Sequence, residues 1–558
     1  MPSCPFCYNP LNEDDEICDV CGSKIIRNDD ESKPKSVSPV SAARHQKLTA
    51  FDEALEKLPF KVTDLLLKRI ALVLAAVLLV SFVISFFKPD RSPDYILYGK
   101  DEEIFLSKTS AISPKQVTID YGLDYFDNNL GLSYRVSENG KKVFFFDYGS
   151  NNLYYRTSKL NKDSVFLASN VLTYDINDAG NLITYVKDGN QLYQHNLSDQ
   201  LNMIDSNVAA FVVSGDGKTI LYTKYDGDTL NLCRYKFGKE AETVVSSVSS
   251  LSYISDDLST VIYIKKGYLF KEKIGSKPQK ITSNIHRVIK VYDENSLYFV
   301  VSDPESHTDS LYYYNGKKAK LVMNGYTGFT ECGVETPSIA FSCINDSKIT
   351  YYVAVEDKAS EIEKSVFDNV YVDPSGKSIY FIADADPNTF LGNLYKASVS
   401  KGGVKSIKLV DENVYGGKFL DNGKFVYLKN YNPQTFSGEV FLNGKSLGKN
   451  ISWMEISCSS ELNGLIYFKN SNGRIGDMYF YKSGKEKKVA EKVLMSSYRI
   501  TDGGEVLCLS DYSEAYSVGE LKLFNGSKSK NVDVGVNYVA DFYNDDEFTE
   551  YLKQTVIS

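Results

Sequence analysis

Four cysteines near the start of the chain have the spacing of metal ligands. They form two Cys-x-x-Cys pairs separated by a short loop, Cys4 with Cys7 and Cys18 with Cys21. Each pair directs two thiolates toward one point, and four thiolates complete a closed tetrahedral zinc site. The segment holds too few apolar side chains to form a core. We therefore predict that residues 1–26 form a structural zinc ribbon that folds only with Zn²⁺ bound.

The ribbon is predicted to be structural, because a catalytic zinc needs an open coordination position and usually His or carboxylate ligands. The first histidine is His45, well outside the motif. The loop between the cysteine pairs is acidic, with Glu13, Asp14, Asp15 and Glu16, and Asp19 follows within the second pair. This charge would repel a phosphate backbone. We expect the ribbon to contact a protein and not nucleic acid; a membrane-tethered regulator that uses the ribbon on DNA is the alternative that the charge disfavours.

One long apolar run determines the predicted topology. Residues 70–87 read IALVLAAVLLVSFVISFF and contain no charge. As a helix they would extend about 27 Å, and residues 65–88 would cross a bilayer core. The run begins too far from the N-terminus for a cleaved signal peptide, so it is predicted to be a signal anchor.

Flanking charges predict the orientation of this helix. Basic residues before it outnumber those after it, with Lys57, Lys61, Lys68 and Arg69 against Lys88 and Arg91. The positive-inside rule then places the N-terminus in the cytoplasm, whose reducing conditions also suit thiolate ligands. We expect a single-pass protein of the cell membrane whose C-terminal region is extracytoplasmic.

Residues 27–64 connect the ribbon to the membrane. Their first part is rich in Ser, Pro and charge, as flexible linkers are. Leu48, Phe51, Leu55 and Leu58 then recur at helical spacing. The pattern predicts a juxtamembrane helix on the bilayer surface, with a dimerisation helix as the alternative.

From residue 93 onward the chain contains a repeat of about forty residues. A turn followed by a strand recurs, for example as DAGNLITYV from Asp178, GDGKTILYT from Gly215, DPSGKSIYFI from Asp373 and DNGKFVYLK from Asp421. A second strand pattern of the form G-x-L-Y follows ten to fifteen residues later, as in GNLYKASV from Gly392. Tight Asp-Gly and Asn-Gly turns with alternating apolar residues are typical of antiparallel hairpins. Four strands fit into each repeat, which is the size of a β-propeller blade.

The motif D-x-x-G-K-x-I-x-Y followed by G-x-L-Y resembles Tol-type and WD-like propeller repeats. The chain has one tryptophan, Trp453, and so departs from WD repeats with their Trp-Asp pairs. Together with CPFCYNPLNEDDEICDVCG and the apolar run, the repeat makes the chain similar to zinc-ribbon, single-pass membrane proteins of Gram-positive bacteria with an extracytoplasmic propeller. The resemblance implies an all-β region of four-stranded blades over residues 93–558. It specifies architecture only, because propellers serve both as enzymes and as binding platforms.

Roughly ten repeats exceed the four to eight blades of a typical propeller. Two propellers are therefore expected, with one large ring as the alternative. The weak repeat at residues 325–341 is the expected seam. The opening strand pair, near Tyr95–Tyr98 and Ile104–Leu106, is expected to complete the last blade.

Candidate catalytic motifs in this region favour structural explanations. Residues 444–448 spell Gly-x-Ser-x-Gly around Ser446, but no histidine follows to complete a hydrolase triad, so a hairpin turn is predicted. Asp384, Asp386 and Asn388 lack the remaining EF-hand ligands and are predicted to lie in a solvated loop. Residues 545–547 are predicted to form a solvated acidic turn. The histidines His195, His286 and His307 are scattered through different repeats.

Five further cysteines lie in the extracytoplasmic region: Cys233, Cys332, Cys343, Cys458 and Cys508. Cys332 and Cys343 are candidates for a disulfide, and buried free thiols are the alternative. Some of the 41 tyrosines are candidates for a rim that binds carbohydrate or peptide.

These observations predict a non-enzymatic binding or sensor protein without catalytic or cofactor-binding residues. Its outer propeller would recognise an extracytoplasmic ligand, such as cell-wall material or a protein. A propeller enzyme acting on cell-wall or other glycans is the alternative, which paired carboxylates at the ring axis would favour. The net charge of −9 disfavours nucleic acid and anionic membrane surfaces as outer partners.

Overall fold

A computed structural model of the protein describes residues 95–539 and Lys553. Within that range it leaves gaps at residues 102, 117–133, 138–139, 147–150, 158–163, 199, 307, 346–347, 364, 421, 460–461 and 502. The predicted ribbon, linker and apolar run all lie outside the described residues, as do His307 and the acidic turn at 545–547.

The described residues are almost entirely β-structure. The first half of the strands are β1 Tyr95–Lys100, β2 Glu103–Lys108, β3 Lys115–Gln116, β4 Tyr134–Val136, β5 Lys142–Phe146, β6 Leu153–Thr157, β7 Val165–Ala168, β8 Val171–Ile176, β9 Leu182–Lys187, β10 Gln191–Asn196, β11 Gln200–Asp205, β12 Val208–Val213, β13 Thr219–Asp226, β14 Thr229–Lys236, β15 Glu242–Val248, β16 Ser250–Ile254, β17 Thr260–Lys265, β18 Tyr268–Lys273, β19 Gln279–Ser283, β20 Ile285–Asp293, β21 Ser296–Ser302, β22 Asp309–Tyr314 and β23 Ala319–Asn324.

The remaining strands are β24 Tyr326–Cys332, β25 Ser338–Asn345, β26 Lys348–Val355, β27 Lys358–Glu361, β28 Val366–Val372, β29 Ser378–Ala383, β30 Gly392–Ser400, β31 Gly403–Val414, β32 Gly416–Phe419, β33 Phe425–Asn432, β34 Ser437–Leu442, β35 Lys445–Ser452, β36 Ser457–Ser459, β37 Gly464–Asn472, β38 Ile475–Lys482, β39 Lys485–Leu494, β40 Arg499–Ile500, β41 Val506–Ser513, β42 Val518–Phe524, β43 Ser529–Val536 and β44 Tyr538–Val539. A 3₁₀ turn occupies Met495–Ser497.

Groups of four strands form the repeating unit, which we call a blade. Blade 1 combines β44 with β1, β2 and β3, and blades 2 to 11 take the strands from β4 to β43 four at a time. Nine blades are separate sheets, while blades 9 and 10 merge into one eight-stranded sheet through the single pairing of Ile451 with Lys469. Pairing within the blades is antiparallel, for example along β12, β13 and β14. The prediction of an all-β fold built from four-stranded blades is confirmed.

The recurring Asp-Gly motif forms the turn between the first and second strands of a blade. In blade 4, the N–H of Gly217 donates to the Ser214 carbonyl at 2.7 Å, and the Ser214 hydroxyl donates to Asp216 at 2.7 Å. Gly217 has a φ of +73°, and a Cβ added there would lie 2.8 Å from the Asn177 side chain of blade 3. Glycine is therefore required both by backbone conformation and by close packing of neighbouring turns.

Eleven apolar clusters hold the blades together as one circuit. Each cluster joins a blade to the next one along the chain, as Phe144 of blade 2 does with Ile183 of blade 3. The last cluster joins Leu509 of blade 11 to Ile96 of blade 1. Residues 325–341, where the sequence suggested a seam, share clusters with blade 6 on one side and blade 8 on the other. This packing corresponds to the single-ring arrangement with eleven blades.

Strands from the two ends of the ring complete blade 1 together. Tyr98 pairs with Val539 and Gly99 with Tyr538, so β44 is the first strand of the blade that contains β1 and β2. Beside this pairing, Asp533 of blade 11 accepts hydrogen bonds from Tyr98 Oη at 2.7 Å and from Lys100 Nζ at 2.8 Å. We call this arrangement an interblade clamp.

The same clamp recurs twice within the ring. In each case a carboxylate on the fourth strand of one blade binds a Tyr-x-Lys pair on the second strand of the next blade. The equivalents are Asp205 with Tyr222 and Lys224, at 2.7 and 2.6 Å, and Asp411 with Tyr427 and Lys429, at 2.8 and 2.9 Å.

The alternation of strand direction gives each blade two different ends. Turns between strands one and two and between strands three and four lie at one end, which we call the hairpin face. Turns between strands two and three, and the connections between blades, lie at the other end, which we call the connection face. Among the described residues no helix is long and apolar enough to cross a membrane.

Candidate functional site

The only tryptophan of the sequence, Trp453, lies on the connection face, between β35 and β36. Its backbone N–H donates to the carbonyl of Phe436 at 3.0 Å. Its own carbonyl accepts from Lys418 Nζ at 3.0 Å, and this ammonium also lies 5.0 Å from the centre of the indole ring. A blade 9 turn and a blade 9 strand therefore hold the tryptophan in place from two sides.

Further apolar side chains extend this position into a surface. Tyr431 packs on the same core cluster as Trp453, and its ring stacks on Tyr415 with 4.4 Å between centroids. Tyr415, Phe436 and Met454 are 40%, 57% and 69% exposed. We call Tyr415, Tyr431, Phe436, Trp453 and Met454 the Trp453 surface. Exposed apolar side chains that cluster in this way mark an interaction site more often than isolated ones do.

Charged side chains from three consecutive blades adjoin the Trp453 surface. Lys418 comes from blade 9, Glu455 from the connection into blade 10, and Arg499 from the first strand of blade 11. Burial raises the pKa of the Glu455 carboxyl, and the positive charges of Lys418 and Arg499 oppose that shift. Two cations and one carboxylate thus lie beside an aromatic surface, where they can hydrogen-bond the polar groups of a ligand whose apolar face lies on the rings.

Two other carboxyl groups on first strands have raised pKa values. Burial raises the pKa of Asp175 in blade 3 to about 6, opposed by Arg135, whose Nε lies 3.8 Å away. Burial raises the pKa of Glu331 in blade 7 to about 7, although the Val372 N–H donates to it at 2.8 Å. Glu455 lies in the connection between blades 9 and 10, so these three groups are in separate parts of the ring, and no two of them form the closely spaced carboxyl pair that a glycosidase needs.

The predicted hairpin at Ser446 is present. Asn443 and Gly444 have positive φ angles of 50° and 78°, and they form the turn that connects β34 to β35. The Ser446 hydroxyl donates to Glu439 at 2.8 Å. This serine therefore belongs to a strand pair and not to a nucleophile elbow.

The acidic loop after β29 is also a local turn. Asp386 accepts hydrogen bonds from the backbone N–H groups of Asn388 and Thr389, at 2.7 and 3.3 Å. Its carboxylate therefore stabilises its own loop. Within the described part of the chain, no three His, Cys, Asp or Glu side chains form a group that could hold a metal. The predicted zinc ligands Cys4, Cys7, Cys18 and Cys21 lie outside that part.

All five described cysteines are free thiols. In the β24–β25 pair, Cys332 lies opposite Ile339, whereas Cys343 lies opposite Tyr326 at the other end of the register. The two thiols are thus separated by most of a strand, well beyond the roughly 7 Å between Cα atoms that a disulfide can bridge. Both are therefore free thiols; Cys343 is buried, as the alternative expected, whereas Cys332 is only half-buried.

The histidines that the structure describes belong to the sheets. His195 lies on β10, opposite Ile183 and Leu201 of the neighbouring strands. His286 lies on β20, and its Nδ1 is 3.0 Å from an Asp309 carboxylate oxygen. Their positions in different blades agree with the scattered distribution seen in the sequence.

Sequence reasoning used Trp453 only to exclude WD repeats and did not identify the surface around it. A signal was present, since a lone tryptophan lies between two repeats, followed by Met454 and Glu455. Apart from Tyr431 at the end of β33, the contributing residues come from connections and turns, which vary between repeats, so comparison of the repeats did not align them.

Comparison with protein-family models found no match, and neither did comparison with curated proteins. Among solved structures, the chain is similar to the tricorn protease, at 11% identity and a TM-score of 0.26, covering 79% of this chain and 62% of the protease. It is also similar to an oligogalacturonate lyase from Vibrio parahaemolyticus, at 13% identity and a TM-score of 0.25, covering 71% of this chain and 98% of the lyase. Similarities of this size give no basis for assigning an activity.

Proposed function

We propose that this chain is a membrane-anchored binding protein whose ring recognises an extracytoplasmic ligand at the Trp453 surface. The apolar run at residues 70–87 supports the anchor, and the cysteine spacing supports a zinc ribbon that contacts a cytoplasmic protein. The observation that supports ligand binding by the ring is the cluster of exposed apolar side chains at the Trp453 surface.

The physical argument rests on what this surface exposes to water. Solvent contact with several large apolar side chains has a free-energy cost of about 25 cal/mol per Å², which a bound partner removes. Aromatic rings provide wide and rigid contact area with little loss of conformational entropy on binding. Lys418, Glu455 and Arg499 add polar contacts beside the rings. A ligand with a flat apolar face and polar edges fits this combination, and a cell-wall glycan has both.

Because Trp453 is the only tryptophan, intrinsic fluorescence reports on this site directly. Full-length protein in uncharged nanodiscs should show a saturable fluorescence change when purified cell-wall glycan fragments are added. Calorimetry should then show about 5- to 150-fold weaker binding for Trp453→Ala, because base–aromatic stacking, a comparable contact, contributes about 1–3 kcal/mol.

Tyr516→Ala is the matched control, since Tyr516 is 79% exposed in a blade 11 turn that is not part of the Trp453 surface. This variant should bind as the wild type does. Equal loss of affinity in both variants, or no binding of glycan by the wild type, would contradict the proposal.

One observation favours the alternative of a propeller enzyme acting on glycans. A carboxyl group with a pKa near 7, such as that of Glu331, is suited to act as a general acid at neutral pH. Hydrolysis of glycan fragments by the wild type that is lost in Glu331→Gln would establish the enzyme, whereas binding without turnover supports the binding protein.

A further inference from the structure

Exposed lysines are most numerous on the fourth strand of blade 10 and the turn before it, and the equivalent strands of blades 9 and 11 on either side carry more of them. These edge strands, β35, β39 and β43, and the turns that precede them carry Lys445, Lys449, Lys485, Lys487, Lys488, Lys492, Lys528 and Lys530. All eight are exposed. Only three acidic residues accompany them, although the whole chain has a net charge of −9. We call the eight residues the lysine rim.

Contacts between neighbouring blades make the lysine rim continuous. Lys445 Nζ of blade 9 would lie 3.8 Å from a Cβ atom added to Gly484 in the blade 10 turn, so the two turns are close neighbours. Lys487 of blade 10 donates to the carbonyl of Ser527 in the blade 11 turn. The three hairpins thus lie side by side at the hairpin face, with their positive side chains on one stretch of the outer wall.

The acidic residues of these strands are already neutralised. Glu486 pairs with Lys469 at 2.6 Å, and Asp533 pairs with Lys100 at 2.8 Å, both partners lying outside the lysine rim. Glu491 pairs with Lys488 at 2.6 Å. Among the ion pairs of the described residues, none includes any of the other seven rim lysines. Seven exposed ammonium groups therefore have no carboxylate partner among the described residues, and only one of them, that of Lys487, is hydrogen-bonded to a neighbouring blade.

We propose that the lysine rim binds a linear polyanion, a polymer with one phosphate or carboxylate in each repeating unit. Side chains two residues apart on a strand lie on the same side, about 7 Å from one another. Lys485 and Lys487 have this spacing on β39, and Lys528 lies in the turn directly before β43, two residues from Lys530. Such a row of charges matches a polymer with a charge in each short repeat.

The residue type supports a flexible polymer over a compact anion. Lysine offers a hydrated point charge on a mobile stem, whereas bidentate recognition of one phosphate or carboxylate group favours arginine. The strands β35, β39 and β43 and the turns before them contain no arginine. The lysines at the start of these strands, Lys445, Lys485 and Lys528, lie at the hairpin face, whereas the Trp453 surface lies on the connection face, so the variants that test the two sites do not overlap.

The test uses full-length protein in uncharged nanodiscs and three soluble probes: poly(glycerol phosphate), polygalacturonate and neutral dextran. We expect the first two to bind and dextran not to bind. The logarithm of the affinity should fall linearly with the logarithm of the salt concentration, with a slope of about −0.7 per charge contacted. The relative affinity of the two polyanions identifies phosphate or carboxylate as the preferred group.

The variant replaces one lysine in each blade, Lys445→Glu, Lys485→Glu and Lys528→Glu together. We expect at least tenfold weaker binding and a shallower salt slope, with an unchanged melting temperature. The control replaces three exposed lysines outside blades 9 to 11, each within two residues of an acidic side chain, namely Lys218→Glu, Lys239→Glu and Lys358→Glu together. This control changes the net charge equally and should bind within about twofold of the wild type.

Three results would overturn the proposal. Equal weakening in both triple variants would show that net charge alone determines binding. If neither polyanion bound, the lysine rim would not be a polyanion-binding site. Binding to phosphatidylglycerol vesicles but to neither soluble polymer would assign the lysine rim to a membrane surface. None of these results depends on Trp453, so the glycan-binding proposal stands or falls separately.

Discussion

Replacement of Asp533 by Asn should weaken the joint between the first and last blades selectively. The carboxylate accepts hydrogen bonds from Tyr98 and Lys100, two residues more than 430 positions earlier in the sequence. A hydrogen bond to a charged group contributes about 1.5–3 kcal/mol. The side chains of Lys100 and Asp533 are 24% and 19% exposed, so solvent screens part of this interaction. Asn retains an acceptor for Tyr98, and we expect a loss of about 1–2 kcal/mol.

Amide hydrogen exchange distinguishes local opening from general destabilisation. Asp205→Asn and Asp411→Asn remove the same interaction at clamps between blades that are directly connected along the chain. Blades 11 and 1 also share a core cluster, but the closing strand β44 pairs with β1 at only two positions, Tyr98 with Val539 and Gly99 with Tyr538. Exchange in β1 and β44 should therefore become about tenfold faster in Asp533→Asn, and remain unchanged in the two control variants.

The change in the free energy of unfolding at low pH provides an independent check of the same clamp. Burial alone would raise the pKa of Asp533, but the hydrogen bonds from Lys100 and Tyr98 outweigh it and lower the pKa. The clamp therefore stabilises the ring above the unfolded-state pKa of about 3.9, and this contribution is lost as the pH falls through the lower folded-state value. If β1 and β44 exchange at wild-type rates in Asp533→Asn, the clamp does not hold the ring closed.

Two further predictions concern titration and metal binding. Burial raises the pKa of Glu331 to about 7, so its contribution to stability is complete below about pH 4.3 and is lost as the pH rises through 7, by about 3 kcal/mol at most. Glu331→Gln keeps the acceptor for the Val372 N–H and should flatten this decline in thermal melts between pH 5 and 8; an unchanged decline would contradict the assignment. Purified full-length protein should contain one zinc ion per chain by metal analysis, and Cys18→Ser should lose it, whereas Cys233→Ser should not.

The blades were predictable because the signal for each one is local. A turn such as Ser214–Gly217 specifies its hairpin through its own backbone and side-chain hydrogen bonds, and the alternating residues after it form a buried second strand. The number of blades was harder to predict. Blade 1 is divided between the two ends of the ring, and blade 10 begins with a strand of only three residues.

Features that depend on contacts between blades were not visible in the repeat. The Tyr-x-Lys half of each clamp, such as Tyr222 with Lys224, is part of a recognisable strand, but its carboxylate belongs to the preceding blade. The Trp453 surface likewise combines side chains from a strand end, a turn and two connections. The lysine rim needs three hairpins side by side before its charge becomes apparent. The sequence repeat therefore predicts the individual blades, whereas the clamps and the two surfaces form only when neighbouring blades pack together.

The division of blade 1 between the chain ends has a consequence for folding. Most interblade contacts form between neighbours in sequence, so ten interfaces can assemble progressively while the chain is synthesised. The eleventh must wait for β44, because it joins residues separated by almost the whole domain. Until then Ile96 and Leu97 of β1 lack part of their final packing, and the strand keeps an unpaired edge. The nascent protein is therefore most exposed to aggregation during the interval between the synthesis of β1 and that of its last partner.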